Sequence, residues 1–174
     1  IDASIIVSDG EKELEVIDNY YEKYDRDFKY KLRNFAKNAD SLEYLEKNKI
    51  NYKQLEEQLT KDHFEICKKI ISKTKNVQID FIGFHGQTIL HKPKKGFSIQ
   101  MGNPNLLSNL LKKKVYFNFR KKDILNGGEG APLSPIYHYL ICKIYKIKLP
   151  VVFLNLGGIA NITYIKSNEE ILSF

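Results

Sequence analysis

Apolar residues recur at helical spacing in the first half of the chain. Across residues 52–73 they return at steps of three and four, which predicts a helix. The charged residues of this segment fall between those steps and should face water. Residues 28–39 repeat the pattern over a shorter length and predict a second helix, with Leu32 and Phe35 turned inward. The stripe of the longer helix consists of Leu55, Leu59, His63, Ile66 and Ile70, with His63 interpreted as a packing residue rather than a ligand.

Short apolar runs bounded by turn residues predict strands. Residues 1–7 form the first run and end at a turn, Asp9–Gly10. The segment 13–24 is ambiguous and could continue as the hairpin partner of that strand. Further strands are expected at 79–90, 97–101 and 115–119 and as the two halves of a hairpin within 151–165; helices are expected at 105–113, capped by Asn103 or Asn105, and at 134–145.

Composition indicates a folded globular protein. The chain has 174 residues, of which 43% are hydrophobic and 12% aromatic. No run approaches the ~18–20 apolar residues of a membrane helix, and no basic segment precedes an apolar one at the start, so we expect neither a membrane span nor a secretion signal. Cys67 and Cys142 lie among helix-like apolar positions, which favours buried free thiols in a reducing compartment. A cytoplasmic protein is therefore expected.

The formal net charge of +7 raises the alternative of nucleic-acid binding. The lysines that produce it are scattered in short groups, which we assign to helix faces and loop tips. The sequence contains no RNP-like aromatic motif, helix-turn-helix signal or zinc-ligand spacing. We interpret the charge mainly as a solvated surface that is compatible with an anionic substrate. A basic α/β interaction domain stays open as an alternative.

The first candidate site is the stretch 118–138, N-F-R-K-K-D-I-L-N-G-G-E-G-A-P-L-S-P-I-Y-H. Its glycines, Gly127, Gly128 and Gly130, allow positive φ or a close approach to a ligand. A polar, glycine-rich loop between a strand and a helix is where α/β folds place ligand sites. An ordinary strand–turn–helix connection is the alternative, and His138 at the end of the stretch is interpreted as structural.

A second candidate is G-F-H-G-Q-T at 83–88, where an apolar strand breaks between two glycines. His85, Gln87 and Thr88 offer donors and acceptors that suit hydroxyl groups or an amide. A bulged edge strand with polar surface residues is the alternative.

A third candidate is the turn L-G-G-I at 156–159. Its backbone N–H groups could hold a phosphate, and Asn155, Asn161 and Thr163 lie nearby in the sequence. Many hairpins use Gly-Gly for the turn alone, so this signal is weak by itself.

The chain resembles anhydro-N-acetylmuramic acid kinases in four ordered blocks: G-F-H-G-Q-T-I-L-H-K-P, F-S-I-Q-M-G, the stretch 118–138, and L-N-L-G-G-I-A-N-I-T. The match covers most of residues 79–165, and Ile1-Asp2-Ala3 fits as well, whereas 8–76 fits loosely. The resemblance implies the actin, hexokinase and Hsp70 superfamily, with an α/β, ribonuclease-H-like (actin-like ATPase) mixed sheet flanked by helices. It also implies that residues 1–174 are the truncated N-terminal lobe of a two-lobed sugar kinase, lacking the G-T-S-x-D-G phosphate-binding block and the second lobe.

The same resemblance implies the chemistry. The family opens the 1,6-anhydro ring of anhydro-N-acetylmuramic acid and phosphorylates O6 with ATP and Mg²⁺, in peptidoglycan recycling. The implied partners are the amino sugar and ATP, without nucleic acid or membrane, and the full-length protein is expected to form a homodimer. Sugar contacts are assigned to His85, Gln87, Thr88 and Arg120, and nucleotide contacts to Asp2, Gly157, Gly158 and Asn161, with no metal ligand assigned.

One departure concerns catalysis. Asn118 occupies the position at which the family has the aspartate base that activates water, and a carboxamide has no basic site at neutral pH. Glu129 stands where the family usually has glutamine, so Glu129, or Asp123, could supply the missing base; independent drift is the alternative. Asp123 could otherwise orient Arg120 or a hydroxyl group. We expect this chain alone to be inactive, and a catalytically impaired relative that binds an amino sugar or a nucleotide is the alternative function.

Overall fold

The computed structural model describes residues 1–156, 160–167 and 170–174. The strands in this part of the chain are Asp2–Ser8 (β1), Leu14–Tyr21 (β2), Phe81–Gly83 (β3), Gln87–Lys92 (β4), Phe97–Met101 (β5), Lys114–Tyr116 (β6), Val151–Asn155 (β7), Asn161–Ile165 (β8) and Ile171–Ser173 (β9). The helices are Arg26–Asn38 (α1), Leu42–Lys47 (α2), Lys49–Lys73 (α3), Pro104–Leu111 (α4), Phe119–Leu125 (α5) and Ser134–Ile144 (α6). Among these described helices, none is both long and apolar enough to cross a membrane.

The strands pair both in parallel and in antiparallel fashion, as the expected mixed α/β class requires. Strands β1 and β2 form an antiparallel hairpin, which resolves the ambiguous segment 13–24 as a strand. Strands β4 and β5 form a second hairpin, and β7, β8 and β9 form an antiparallel sheet. Strand β3 pairs in parallel with β6 although 30 residues separate their ends. The α/β class, with helices between small sheets, is thus confirmed.

The core lies between α1, α3, α4 and the β4–β5 hairpin. Leu59, Met101 and Leu107 are completely buried there. Burial of a side chain of this size stabilises the fold by about 1.5–3 kcal/mol. The predicted apolar stripe of α3 is confirmed, because its four aliphatic members, Leu55, Leu59, Ile66 and Ile70, are all buried.

His63, the fifth member of that stripe, packs as predicted. Its ring lies with its centroid 5.0 Å from that of Phe84 and 6.3 Å from that of Tyr24. Its Nδ1 lies 2.7 Å from the carbonyl oxygen of Leu59, one turn earlier in α3. Burial lowers the pKa of His63, which favours the neutral ring in the folded protein.

Side-chain caps explain where two helices begin. The Asp25 carboxylate accepts hydrogen bonds from the backbone N–H groups of Asp27 and Phe28 at the start of α1. Asn103 rather than Asn105 caps α4, since its side-chain oxygen accepts from Leu106 N at 2.9 Å. Both helices were predicted to within about three residues at each end.

The predictions were wrong in the stretch that follows β6. The expected strand 115–119 ends at Tyr116, and Phe119 already begins α5 inside the segment predicted as a loop. Helix α5 has only seven residues, which is too short to show a helical period in the sequence. Helix α2 and strand β9 were also not predicted, and both are short as well.

Candidate ligand-binding site

Two of the candidate segments meet at the carboxyl ends of β3 and β6. Because these strands are parallel, the residues that follow them leave the sheet at the same end. The backbone N–H of Phe84 donates to the carbonyl of Tyr116 at 2.8 Å, and the Phe84 ring packs on that of Phe117. This arrangement brings His85 beside Arg120, with the His85 Nε2 atom 2.9 Å from an Arg120 Nη2 atom.

Arg120 links His85 to the glycine-rich loop. Its Nη1 donates to the carbonyl oxygen of Gly130 at 2.5 Å. Its Nε is buried and has no hydrogen-bond partner among the described residues. Burial lowers the pKa of Arg120, yet the guanidinium stays charged at neutral pH. Among the described residues, one N–H of each terminal nitrogen is bonded within the protein, and the second N–H of each is left for a ligand or water.

The loop after α5 has a defined geometry set by its glycines. Gly127, with φ +88°, follows the last helical residues, and its N–H donates to the carbonyl of Ile124 at 3.1 Å. The N–H of Gly128 donates to the carbonyl of Asp123 at 2.9 Å. These two bonds with a left-handed glycine form a Schellman motif, which ends α5. Gly127 thus uses the positive φ that its lack of a side chain was expected to allow.

Asp123 holds the next part of that loop. Its Oδ2 accepts a hydrogen bond from the N–H of Gly130 at 2.7 Å. A Cβ atom at Gly128 would overlap the same carboxylate, so this position requires glycine for a close approach rather than for its φ. The carbonyl of Gly130 accepts a hydrogen bond from Arg120, so Asp123 binds the N–H of this residue and Arg120 binds its carbonyl. Asp123 thus orients Arg120 indirectly, through the backbone.

Asn118 and Glu129 lie at opposite ends of α5. Asn118 immediately precedes the helix in the left-handed conformation, with φ 61° and ψ 40°, and its side chain makes no capping bond. Asparagine and aspartate adopt this conformation more readily than other non-glycine residues. Glu129 lies in the loop after the helix, directly behind Gly128, the last residue of the Schellman motif. Both side chains are exposed, so each is accessible to a ligand or to water.

A chain of polar side chains on the β4–β5 hairpin joins the predicted Thr88 to three residues that were not predicted as part of the site, His91, Ser98 and Gln100. The carboxamide Nε2 of the buried Gln100 donates to Ser98 Oγ at 2.7 Å and, over 3.4 Å, to Thr88 Oγ1. Ser98 Oγ lies 3.0 Å from Nδ1 of His91 on the neighbouring strand. The available signal was the spacing of Ser98 and Gln100, two residues apart on one strand and therefore on one face.

A cavity of about 800 Å³ brings together three of the predicted site residues. Asp2, His85 and Gln87 all line it, and α3 contributes an apolar wall that includes Ile66 and Ile70. The cavity follows consecutive residues of β1 and β3, strands that each pair with a single neighbour within the described residues. It therefore runs along the open backbone edges of two strands. His85 lines the cavity and also contacts Arg120, so it connects the two groups of candidate residues.

The third candidate segment is only partly visible. Gly157 and Gly158 lie outside the described residues. Asn161 opens β8 and pairs in register with Asn155. Its Oδ1 is buried and has no hydrogen-bond partner among the described residues, which leaves an acceptor available at the end of this strand. His138 packs as the sequence predicted, because its ring stacks on Phe153 with centroids 4.5 Å apart.

Comparison with known families gives a match over the whole chain. The family model for anhydro-N-acetylmuramic acid kinase matches residues 1–174. The chain belongs to the anhydro-N-acetylmuramic acid kinase family. The segment 8–76, which resembles the family only loosely by inspection, is included in this match.

Several curated relatives carry the same family name. The anhydro-N-acetylmuramic acid kinase of Pelagibacter ubique (strain HTCC1062) is 47% identical over 176 residues, which cover 100% of this chain and 47% of that protein. The Zymomonas mobilis protein of that name is 36% identical over 98% of this chain and 47% of its own length. The Methylorubrum populi protein is 31% identical over 100% of this chain and 49% of its own length. The chain thus spans about half the length of these anhydro-N-acetylmuramic acid kinases.

Proposed function

We propose that this chain is one lobe, the N-terminal one, of an anhydro-N-acetylmuramic acid kinase. The full-length protein would open the 1,6-anhydro ring of its sugar and phosphorylate O6 with ATP and Mg²⁺, in cytoplasmic recycling of peptidoglycan. The observation that carries this proposal is the family match over the entire chain. It is supported by the way the segments that carry the resemblance converge, since His85, Arg120 and Gly130 form one hydrogen-bonded group.

The sugar would bind beside Arg120. The remaining N–H groups of its guanidinium suit a carboxylate such as the lactyl group of the muramic acid. The Thr88 hydroxyl accepts a long hydrogen bond from Gln100, so its own hydrogen can be donated to a sugar oxygen. Gln87 is exposed on the cavity side and offers an amide to a hydroxyl or to the N-acetyl group.

The nucleotide would lie near Asp2, Gly157, Gly158 and Asn161. Mg²⁺ usually takes one or two carboxylates and completes its shell with phosphate oxygens and water. Asp2, an exposed carboxylate on the cavity wall, fits that requirement. When bound, Mg²⁺ would neutralise phosphate charge during transfer.

A second candidate function follows from Asn118. Its exposed carboxamide can donate to or accept from a sugar hydroxyl or a water, but it cannot take a proton from water at neutral pH. A protein with this residue could bind the amino sugar or the nucleotide without efficient turnover. The chain by itself covers about half of the relatives, and we propose that it is inactive without the remainder.

The test is sugar-dependent ATP consumption by the full-length protein, which is expected to elute as a homodimer. ADP release that requires anhydro-N-acetylmuramic acid, with a phosphorylated sugar as product, supports the kinase. Sugar binding by calorimetry without ADP release supports the impaired relative. The matched control is Arg120→Lys, which keeps the charge but removes the planar fork, and should weaken sugar binding. Affinity for nucleic acid that falls steeply with salt, without sugar binding, would contradict both functions.

A further inference from the structure

We propose that His91 is a ligand-binding residue of this site and that His85 is a positioning residue for Arg120, because we assign opposite tautomers to the two rings from their hydrogen-bond partners. The assignment of the two protons depends only on the structure. The identity of the ligand that His91 meets rests on the proposed function.

The contacts of His85 determine where its proton lies. Its Nδ1 is 2.8 Å from the carbonyl oxygen of Gly86, and a carbonyl can only accept, so Nδ1 carries the hydrogen. Its Nε2 is 2.9 Å from Nη2 of Arg120, and a guanidinium can only donate, so Nε2 is the acceptor. Both ring nitrogens are therefore used within the protein. His85 orients the Arg120 guanidinium and has no ring nitrogen left for a ligand.

The contacts of His91 lead to the other tautomer. The carboxamide nitrogen of Gln100 can only donate, so Ser98 Oγ accepts at 2.7 Å and has its own hydrogen to give. A hydroxyl can also accept a second hydrogen bond, but among the described hydrogen bonds Nδ1 of His91, 3.0 Å away, is the only acceptor next to this hydroxyl, so we assign the Ser98 hydrogen to that contact and the acceptor role to Nδ1. The hydrogen of the neutral His91 ring is then on Nε2. Among the described residues no group bonds to this Nε2, and it is not sealed from solvent.

His91 stands close enough to the rest of the site to act with it. Burial lowers the pKa of His91, the positive charge of Arg120 lowers it further, and the negative charge of Glu129 raises it. The ring is therefore neutral at pH 7 and within the electrostatic reach of both residues. Helix α5, which carries Arg120, packs against β5, the partner strand of His91.

A neutral N–H within the electrostatic reach of a guanidinium suits an anionic oxygen. Two sources of that chemistry exist at the proposed site, namely the lactyl carboxylate of a muramic acid and a phosphate. The half-buried Ser98 holds the His91 ring in place, and the buried Gln100 in turn holds Ser98. Thr88 lies on the same chain of hydrogen bonds, so the donor groups of Thr88 and His91 are oriented by one carboxamide.

The tautomers can be measured directly in the 174-residue chain, which contains four histidines. Long-range ¹H–¹⁵N correlation spectra distinguish Nδ1–H from Nε2–H rings, and single His→Gln variants assign the four signals. We expect an Nδ1–H ring at His85 and an Nε2–H ring at His91. Ser98→Ala should convert His91 to a mixture of tautomers, whereas Ser72→Ala, an exposed serine on α3, should change nothing. The same tautomer at both histidines would overturn the proposal.

Ligand binding to the full-length protein tests the ligand role of His91 and the positioning role of His85. The probes are N-acetylmuramic acid, N-acetylglucosamine, which lacks the carboxylate, and inorganic phosphate. We expect His91→Ala to weaken N-acetylmuramic acid binding about 10- to 100-fold, as loss of a charge-assisted hydrogen bond does. His91→Gln, which keeps an N–H donor, should retain part of the affinity for N-acetylmuramic acid. All variants should bind N-acetylglucosamine with the same affinity. A loss confined to phosphate would assign the donor to the phosphate instead.

His85→Ala should weaken N-acetylmuramic acid binding while leaving N-acetylglucosamine binding unchanged, because only the carboxylate depends on the orientation of Arg120. Equal loss for both sugars would reduce His85 to a structural role and overturn its part of the proposal. Unchanged binding of both N-acetylmuramic acid and inorganic phosphate in His91→Ala would overturn the ligand role of His91. If the wild type has the expected tautomers but binds neither sugar, the proposed function fails and the ligand role of His91 fails with it.

Discussion

The Asp123 carboxylate accepts a hydrogen bond from the backbone N–H of Gly130 at 2.7 Å and thereby holds the loop that carries Glu129. Gly130 is buried, so an unpaired N–H there would be costly. We expect Asp123→Ala to lower the free energy of unfolding by about 1–3 kcal/mol, the cost of an unsatisfied buried donor. Asp123→Asn keeps a hydrogen-bond acceptor, so its free energy of unfolding should fall by less than that of Asp123→Ala. Urea unfolding of the 174-residue chain measures both, with the exposed Asp80 changed to Ala as control.

Gly128 faces the same carboxylate. A Cβ at this position would overlap Asp123, so Gly128→Ala must displace the carboxylate from the Gly130 N–H. We expect a loss of stability of the same order as in Asp123→Ala, and a double variant that is no less stable than either single one. Gly127→Ala is the control, because a Cβ there meets nothing and its only cost is the strain of φ +88°. Fully additive losses in the double variant would refute the shared cause.

Asn118→Asp should restore a general base in the full-length protein. The substitution keeps a residue type that tolerates the left-handed conformation at φ 61°. We therefore expect unfolding of the chain to change by no more than about 0.5 kcal/mol. Sugar-dependent ADP release should rise by about 10²–10⁴-fold, the usual contribution of a general base. Stability that is retained without any gain in turnover would show that this position is not where the base is needed.

Glu129→Gln tests whether the base has moved. Glu129 is exposed at the far end of α5 from Asn118, and we expect the substitution to leave turnover of the full-length protein unchanged. A fall of about 10²–10⁴-fold would instead identify Glu129 as the replacement base. The double variant Asn118→Asp with Glu129→Gln is the control, since its base at 118 would make it insensitive to the second change.

His63 should make the fold sensitive to acid. Burial lowers its pKa below the ordinary 6.5, so the unfolded chain binds a proton more readily than the folded one. The stability that it contributes is therefore present above pH 6.5 and is lost as the pH falls below that value. We expect the urea midpoint to drop between pH 7.5 and 5.5, and His63→Gln to reduce that drop. His91 and His138, whose pKa values are also lowered by burial, should contribute to the drop that remains in His63→Gln. An unchanged pH dependence in His63→Gln would contradict this assignment.

Sequence reasoning succeeded where the signal is local. The stripe of α3 and the inward residues of α1 follow from spacing alone, because a helix repeats every 3.6 residues whatever surrounds it. The cap at Asn103 and the left-handed turn at Gly127 are equally local properties. Short elements gave no such signal, and α2, α5 and β9 were missed for that reason.

The sequence by itself determined the family of this protein, the apolar stripe of its longest described helix and the residue types of the candidate site. Only the tertiary structure decided which of them meet. The contact between Arg120 and His85 joins residues 35 positions apart, and the link from Thr88 to Gln100 depends on the register of a hairpin. Parallel pairing of β3 with β6 and strand register are set by packing across the chain, which no window of neighbouring residues contains.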